Sequence, residues 1–272
     1  MANGLAGAAR EAATPLLASD EPPVVDLQDS GNGPFVFLCE HASNRLPKAL
    51  GDLGLPAEAL TRHIAWDPGA AAMTLGLATR LGSPAILQSY SRLVIDCNRE
   101  PGLPDAITTL SEDTEIPGNR DLGPAARQQR VDAIWAPFHA AIDDLVATRI
   151  AARTPTVIVT LHSFTPVYRG LPRPWHVGII SSGERSFAEA MLSALRRDAA
   201  LEVGDDEPYS ARDHVDYTIR RHGFDRGLPH VMIEVRNDLV QSATDVAAWV
   251  DRLAAALVEC ATATGLPPTQ ED

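Results

Sequence analysis

The chain has 272 residues with 36 acidic and 23 basic side chains, giving a formal net charge of −13; 22 of the basic residues are arginine and Lys48 is the lone lysine. This balance argues against nucleic acid or anionic lipid as the main partner, since both need a basic surface, and leaves Schiff-base or phosphate-loop chemistry to Lys48 alone. With 45% hydrophobic and 22% charged residues, the chain fits one globular domain that buries a sizeable core.

Residues 1–22 lack a basic stretch followed by an apolar one, so a signal peptide is not expected; they are expected to form a flexible N-terminal segment. A single domain is expected over 23–265, with 266–272 as a tail. No stretch approaches 18 apolar residues, so no membrane span is expected. Cys39, Cys97 and Cys260 are too few and odd in number for a disulfide framework, which suits small buried hydrophobes in a reducing, cytoplasmic setting.

The apolar run 33–41 predicts a buried strand. Residues 68–82 predict a helix, with Pro68 in its first turn and Gly82 as its stop. Strands are predicted over 84–88 and 92–97, then a long loop over 100–122. A long helix is predicted over 124–150, where Val131, Ile134, Trp135, Phe138, Ile142 and Leu145 recur at helical spacing. Strands follow at 154–162, 175–181 and 230–235, and helices at 184–199, 213–222 and 243–263. Apolar strands alternating with helices predict an α/β sandwich around a mostly parallel sheet.

Ligands in such folds bind outside the carboxyl ends of the strands. Those ends carry Glu40 and His41, Asn98 and Arg99, His162 and Ser163, and Glu234 and Arg236. Two imidazoles with a carboxylate are a common ligand set for catalytic zinc, which activates water. A further glutamate serves as the proton carrier between that water and a leaving amine. Arginines polarise a scissile carbonyl and clamp a carboxylate by paired hydrogen bonds. The acidic average is expected to coexist with a locally basic pocket.

Six segments, EHASNRLP, WDPGA, YSRLVIDCNRE, TLHSFTP, PYSARDHVDYTIRRHG and GLPHVMIEVRNDL, together resemble the N-formylglutamate amidohydrolase family over roughly 34–240. The resemblance implies a three-layer α/β/α sandwich of the zinc-exopeptidase-like (phosphorylase/hydrolase-like) kind, related to zinc carboxypeptidases and aspartoacylase-like deacylases. It implies a hydrolase of linear amides that converts N-formyl-L-glutamate and water to formate and L-glutamate. By position, His41 and His162 match the metal histidines, Arg92, Asn98 and Arg99 match an arginine and an Asn-Arg pair that contact substrate, and Glu234 matches the general base. The relatives carry H-x-x-E at the first histidine, where this chain has Asn44. Asp67 is the expected third ligand of Zn2+ or another divalent metal, with Asn44 as the alternative.

The expected roles are therefore Glu234 and Arg92 in catalysis, and His41, Asp67 and His162 on the metal. Asn44, Asn98, Arg99, Ser163 and Arg236 are expected to contact a small anionic N-acyl amino acid. Each has a plainer reading: Asp67 as a helix cap, Glu234 in an ion pair with Arg236, Arg92 and Arg99 paired with Asp96 or Glu100. Asp96 is expected to orient a neighbour. His63 and His214 are expected at the surface or in packing, His139 beside the site, and Tyr217, Arg220, Arg221 and His222 on a substrate rim or a solvated helix face. Ser163 lacks a nucleophile elbow, which argues against acyl-serine chemistry. Two rival functions remain: an amidase of the same fold acting on another N-acyl amino acid or peptide-like amide, and a binding module that has lost its metal. Oligomeric state is not legible.

Overall fold

The computed structural model describes residues 15–210 and 216–266. In chain order the elements are β1 (Val25–Gln28), β2 (Phe35–Cys39), α1 (Ala57–Thr61), α2 (Ala70–Arg80), β3 (Ala85–Gln88), a small hairpin of β4 (Leu110–Ser111) and β5 (Thr114–Glu115), α3 (Pro124–Arg130) and α4 (Ala136–Ala151). There follow β6 (Val157–Phe164), a second hairpin of β7 (Val167–Tyr168) and β8 (Leu171–Pro172), β9 (Val177–Ile180), α5 (Ser186–Leu195), β10 (Val203–Asp205), α6 (Tyr217–His222), β11 (His230–Arg236) and α7 (Ala243–Ala263).

Seven strands form one sheet in the order β1-β3-β2-β6-β11-β9-β10. β3, β2, β6 and β11 are mutually parallel; β1 is antiparallel to β3, and β9 to β11. β10 runs parallel to β9. Successive side chains of a strand point to opposite faces, and β2 divides accordingly. Phe35, Phe37 and Cys39 pack with α2, α5 and α7 on one face, while Val36 and Leu38 pack with α4 on the other. All eight residues of β6 are buried, as expected for a central strand covered on both sides. The three-layer α/β/α sandwich with a mainly parallel sheet is thus the observed fold.

The long helix predicted at 124–150 is one rod with a wide turn inside it. A π-helical segment, Val131–Trp135, joins α3 to α4. Pro137 follows in the first turn of α4; it has no N–H to give the preceding turn, and the widened turn absorbs that loss.

Three expectations need correction. Residues 92–97 are not a strand: they form turns closed by Val94 N–H to Ser91 O and Arg99 N–H to Asp96 O. The apolar run arises because Leu93 and its neighbours Val94, Ile95 and Cys97 are buried in two different clusters. The 100–122 segment is the long loop expected, ordered around buried Asn119, whose amide donates to the carbonyls of Leu93 and Thr108. Residues 15–22 are not loose: Leu16 is buried, and Pro22 O accepts from the Tyr90 hydroxyl at 2.8 Å. At the other end, Leu266 packs against the core. Residues 1–14, 213–215 and 267–272, parts of the expected tail, helix and leader, lie outside the described residues, as does His214. Among the described residues, no helix is long and apolar enough to cross a membrane.

Candidate active site

β2 ends at Cys39, and the chain leaves the sheet through Glu40 and His41. The His41 carbonyl accepts from the backbone N–H of Asp67 at 2.9 Å, tying the two residues together. After Asp67 and Pro68 the chain turns into α2 through Gly69, at φ +85°, where a side chain would meet Val240 at 2.4 Å. Only glycine fits that close, left-handed turn. The Asp67 side chain caps no helix. It accepts from Ser163 N–H at 3.2 Å and faces His162 on β6.

Three donor atoms meet here. His41 Nδ1 lies 3.3 Å from Asp67 Oδ2, His162 Nδ1 lies 3.0 Å from the same oxygen, and the two Nδ1 atoms are 3.2 Å apart. All three residues are at least 98% buried. Tetrahedral ligands held roughly 2.1 Å from a zinc ion stand about 3.4 Å from one another, so this triangle has close to the edge lengths such an ion requires. Of the far nitrogens, His41 Nε2 donates to Asp96 Oδ1 at 2.8 Å, while His162 Nε2 lies 3.2 Å from Glu40 Oε2 in a buried ion-pair contact without hydrogen-bond geometry. The Asp96 carboxylate behind His41 fixes that ring's tautomer and leaves Nδ1 for a metal. Asp96 also holds Arg92 Nη2 at 2.6 Å. Burial opposes the Asp96 charge, but Arg92 and His41 outweigh it and keep its carboxyl well below the usual range.

Glu234 stands opposite His162 in the β11–β6 register. It is 4% exposed, and its Oε2 has no hydrogen-bond partner. Burial, augmented by the Asp67 charge and opposed by His162, pushes its carboxyl up to about 7. A carboxyl at that value is suited to take and return a proton near neutral pH. These groups line a cavity of about 650 Å³ that also takes in Arg92, Asn98, Arg99 and Ser163.

The expected residues are not all placed alike. Asn44 is turned away, its amide donating to Leu60 O at 2.8 Å, so it is neither a ligand nor part of the cavity wall. Arg236 is also off the cavity; it pairs with Asp238 and donates to the carbonyls of Arg173, Pro174 and Trp175. It therefore leaves Glu234 unpaired and staples the segment before β9. Ser163 lines the wall, but its hydroxyl donates to Pro68 O at 2.7 Å, which helps to position Asp67. The Asn98 amide is spent on Thr218 N–H and Met232 Sδ. Arg99 pairs with Asp105 at 3.1 Å.

Tyr217, Arg221 and His222 form neither a rim nor a solvated face. α6 packs on α4, with Tyr217 against Trp135, Arg221 bonded to Asp143 and His222 fully buried. His139 and His222 stack there; burial pushes them down to about 4 and about 3, so both stay neutral.

The cavity residues that escaped the sequence reading include His63, 3.4 Å from Asp67, together with Arg173 and Tyr209. Strand-end logic inspected carboxyl ends. β9 runs against β11, so its amino end reaches the same edge: Val177 pairs with Val235, and Arg236 N–H bonds His176 O. The residues before β9, Arg173 among them, are thereby carried to the site. The cavity is also not basic on balance. Four arginines face six carboxylates along its wall.

The model of the family described as N-formylglutamate amidohydrolase matches residues 33–241. No curated protein matches the chain. Among solved structures, the gene product Atu2144 of Agrobacterium tumefaciens is 38% identical, with a TM-score of 0.89 over 92% of this chain and 99% of that one. The N-formylglutamate amidohydrolase of Ralstonia eutropha JMP134 is 18% identical, with a TM-score of 0.66 over 89% and 98% of the two chains; at that identity the likeness is one of fold.

Proposed function

Because the chain belongs to the N-formylglutamate amidohydrolase family, hydrolases that act on amides, we propose that it is a metal-dependent enzyme that cleaves the N-acyl bond of a small anionic amino acid. N-formyl-L-glutamate, giving formate and L-glutamate, is the reference substrate. The observation that carries this reading is the His41–Asp67–His162 donor triangle beside the unpartnered carboxylate of Glu234. It supports metal dependence over a metal-free binding module, since Asp67 supplies the carboxylate that Asn44 does not. Buried free thiols at Cys39, Cys97 and Cys260 suit a reducing compartment.

In this reading His41, Asp67 and His162 hold a zinc or other divalent ion. When bound, it supplies a Lewis acid that polarises the acyl carbonyl and acidifies water. Glu234 accepts a proton from water as the water oxygen bonds to the acyl carbon. Arg92 donates to the carbonyl oxygen as negative charge gathers there. The carbon–nitrogen bond then breaks, and Glu234 returns the proton to the departing amine. Arg99, with Asn98 beside it, contacts a substrate carboxylate.

Glu234→Gln keeps the shape of the side chain and removes its proton-accepting charge. It is expected to abolish turnover, a loss of at least about 100-fold, while elemental analysis still finds about one metal per chain. Retained activity in this variant would assign the proton transfer elsewhere. A second reading draws on the cavity volume of about 650 Å³. Clefts of roughly 300–1,000 Å³ hold drug-sized ligands, so a larger acyl group or a peptide-like amide also fits. Rates across a panel of N-acyl amino acids separate the two.

A further inference from the structure

Arg173 is a cation of the cavity that the chemistry above leaves unused. It lies between β8 and β9, is 8% exposed, and lines the same wall as Glu234. Its guanidinium sits over the rings of Tyr168 at 4.5 Å, Tyr209 at 4.9 Å and Phe164 at 5.8 Å. Stacking occupies the flat faces and leaves the N–H edge for hydrogen bonds. That edge is poorly used: Nη1 makes long contacts to the neutral hydroxyls of Tyr209 at 3.3 Å and Thr165 at 3.4 Å. Among the described residues no carboxylate pairs with it.

The other arginines of the cavity and the core differ. Arg92 and Arg99 are paired with Asp96 and Asp105. In the core, Arg130 and Arg149 are held by backbone carbonyls at 2.6–3.2 Å. Exposed Arg169, on the second hairpin, has water to solvate it. A guanidinium buried without a counter-ion carries a desolvation cost that an arriving anion relieves. Tyr209 adds a neutral donor beside it, since burial and Glu234 push its phenol up to about 12.

We propose that Arg173 is a specificity-determining residue that binds the side-chain carboxylate of the substrate by its N–H edge, with the Tyr209 hydroxyl donating to the same group. The enzyme thereby selects N-acyl derivatives of acidic amino acids over neutral ones. The catalytic half of this statement rests on the amidohydrolase reading; the binding half does not.

Two measurements test it on the full-length protein as purified. Calorimetric titration with glutarate, a plain dicarboxylate, is compared for the native protein, Arg173→Met and Arg173→Lys. Steady-state rates are compared for N-formyl-L-glutamate and its neutral counterpart N-formyl-L-glutamine. Charge-assisted pairs of this kind are worth roughly 10- to 100-fold in affinity. Arg173→Met is expected to weaken glutarate by that factor and to raise KM for the glutamate substrate by a similar one. Its kcat, and the kcat/KM of the glutamine substrate, should stay within about threefold. Arg173→Lys, which keeps the charge and loses the fork, should fall between. Unchanged glutarate binding in Arg173→Met, no glutarate binding to the native protein, or equal losses on both substrates in a variant with an unchanged melting temperature would each overturn the proposal. If the native protein hydrolyses neither amide, the hydrolase reading fails, and the glutarate comparison still decides the role of Arg173.

Discussion

At the scale of single residues the site is a problem of buried charge. Glu234 shows it most directly. Its folded value of about 7 stands above the ordinary 4.5, so folding costs nothing extra at pH 4, where it is protonated in both states. The cost grows as pH rises from 4.5 and is complete above 7. Glu234→Gln in chelator-treated protein is therefore expected to be more stable than the native chain at pH 8, by on the order of 1–3 kcal/mol. The two should converge near pH 4.5. Denaturant titrations at the two pH values check this, and a constant difference across pH would show that the carboxyl is not the source. His41, His162 and Glu234 were legible in the sequence because each interrupts an apolar strand, where a polar residue needs a reason. Asp67 was legible only through the gap that Asn44 leaves in the H-x-x-E pattern. His63 and Tyr209 sit in loops, where nothing local distinguishes a cavity residue from a solvated one.

At the scale of elements, apolar patterning found the layers and failed where a buried turn mimics a strand. The helices α2, α4, α5 and α7 and the strands β2, β3, β6 and β11 were readable from helical spacing, apolar runs and Pro or Gly punctuation. The 92–97 segment misled because a buried turn and a buried strand show the same apolar run. β1 and β10 went unread; β1 is a four-residue edge strand with half-exposed positions. Helix contacts impose demands that spacing does not reveal. Gly76 in α2 faces α7, where a methyl group would stand 2.6 Å from Val250 Cγ2. Alanine is normally favoured over glycine inside a helix by up to about 1 kcal/mol. Here a stiff, branched neighbour leaves it no room, and overpacking costs about 1–3 kcal/mol. Gly76→Ala is expected to lower stability by about 1 kcal/mol, read as a lower denaturation midpoint; a rise would show that α2 and α7 separate freely.

At the scale of the whole molecule, the net charge of −13 and the carboxylate excess of the cavity wall have the same sign. The acidic average is not offset by a basic pocket. Within the pocket, negative groups gather around the donor triangle, and Arg173 stands among rings with no carboxylate of its own. On the proposals made above, a dianionic substrate would meet a wall divided by function, one part for a cation and another for an anion. Sheet topology makes that division. Parallel β2, β6 and β11 deliver histidines and glutamate by their carboxyl ends, and reversed β9 delivers arginine by its amino end.

The donor triangle has one more consequence, in time. Its members lie 26, 95 and 121 residues apart along the chain, so no short unfolded segment carries them together. Closing such loops is slow and entropically costly, and the ion has nothing complete to grip until β2 and β6 have paired. Under the metal-dependent reading proposed above, metal capture comes after the folding barrier and acts as a lock on the finished structure. Stopped-flow experiments should find the refolding rate the same with zinc and with chelator, while the unfolding rate falls at least about tenfold in zinc. Zinc-accelerated refolding would mean that the triangle assembles early and guides the sheet.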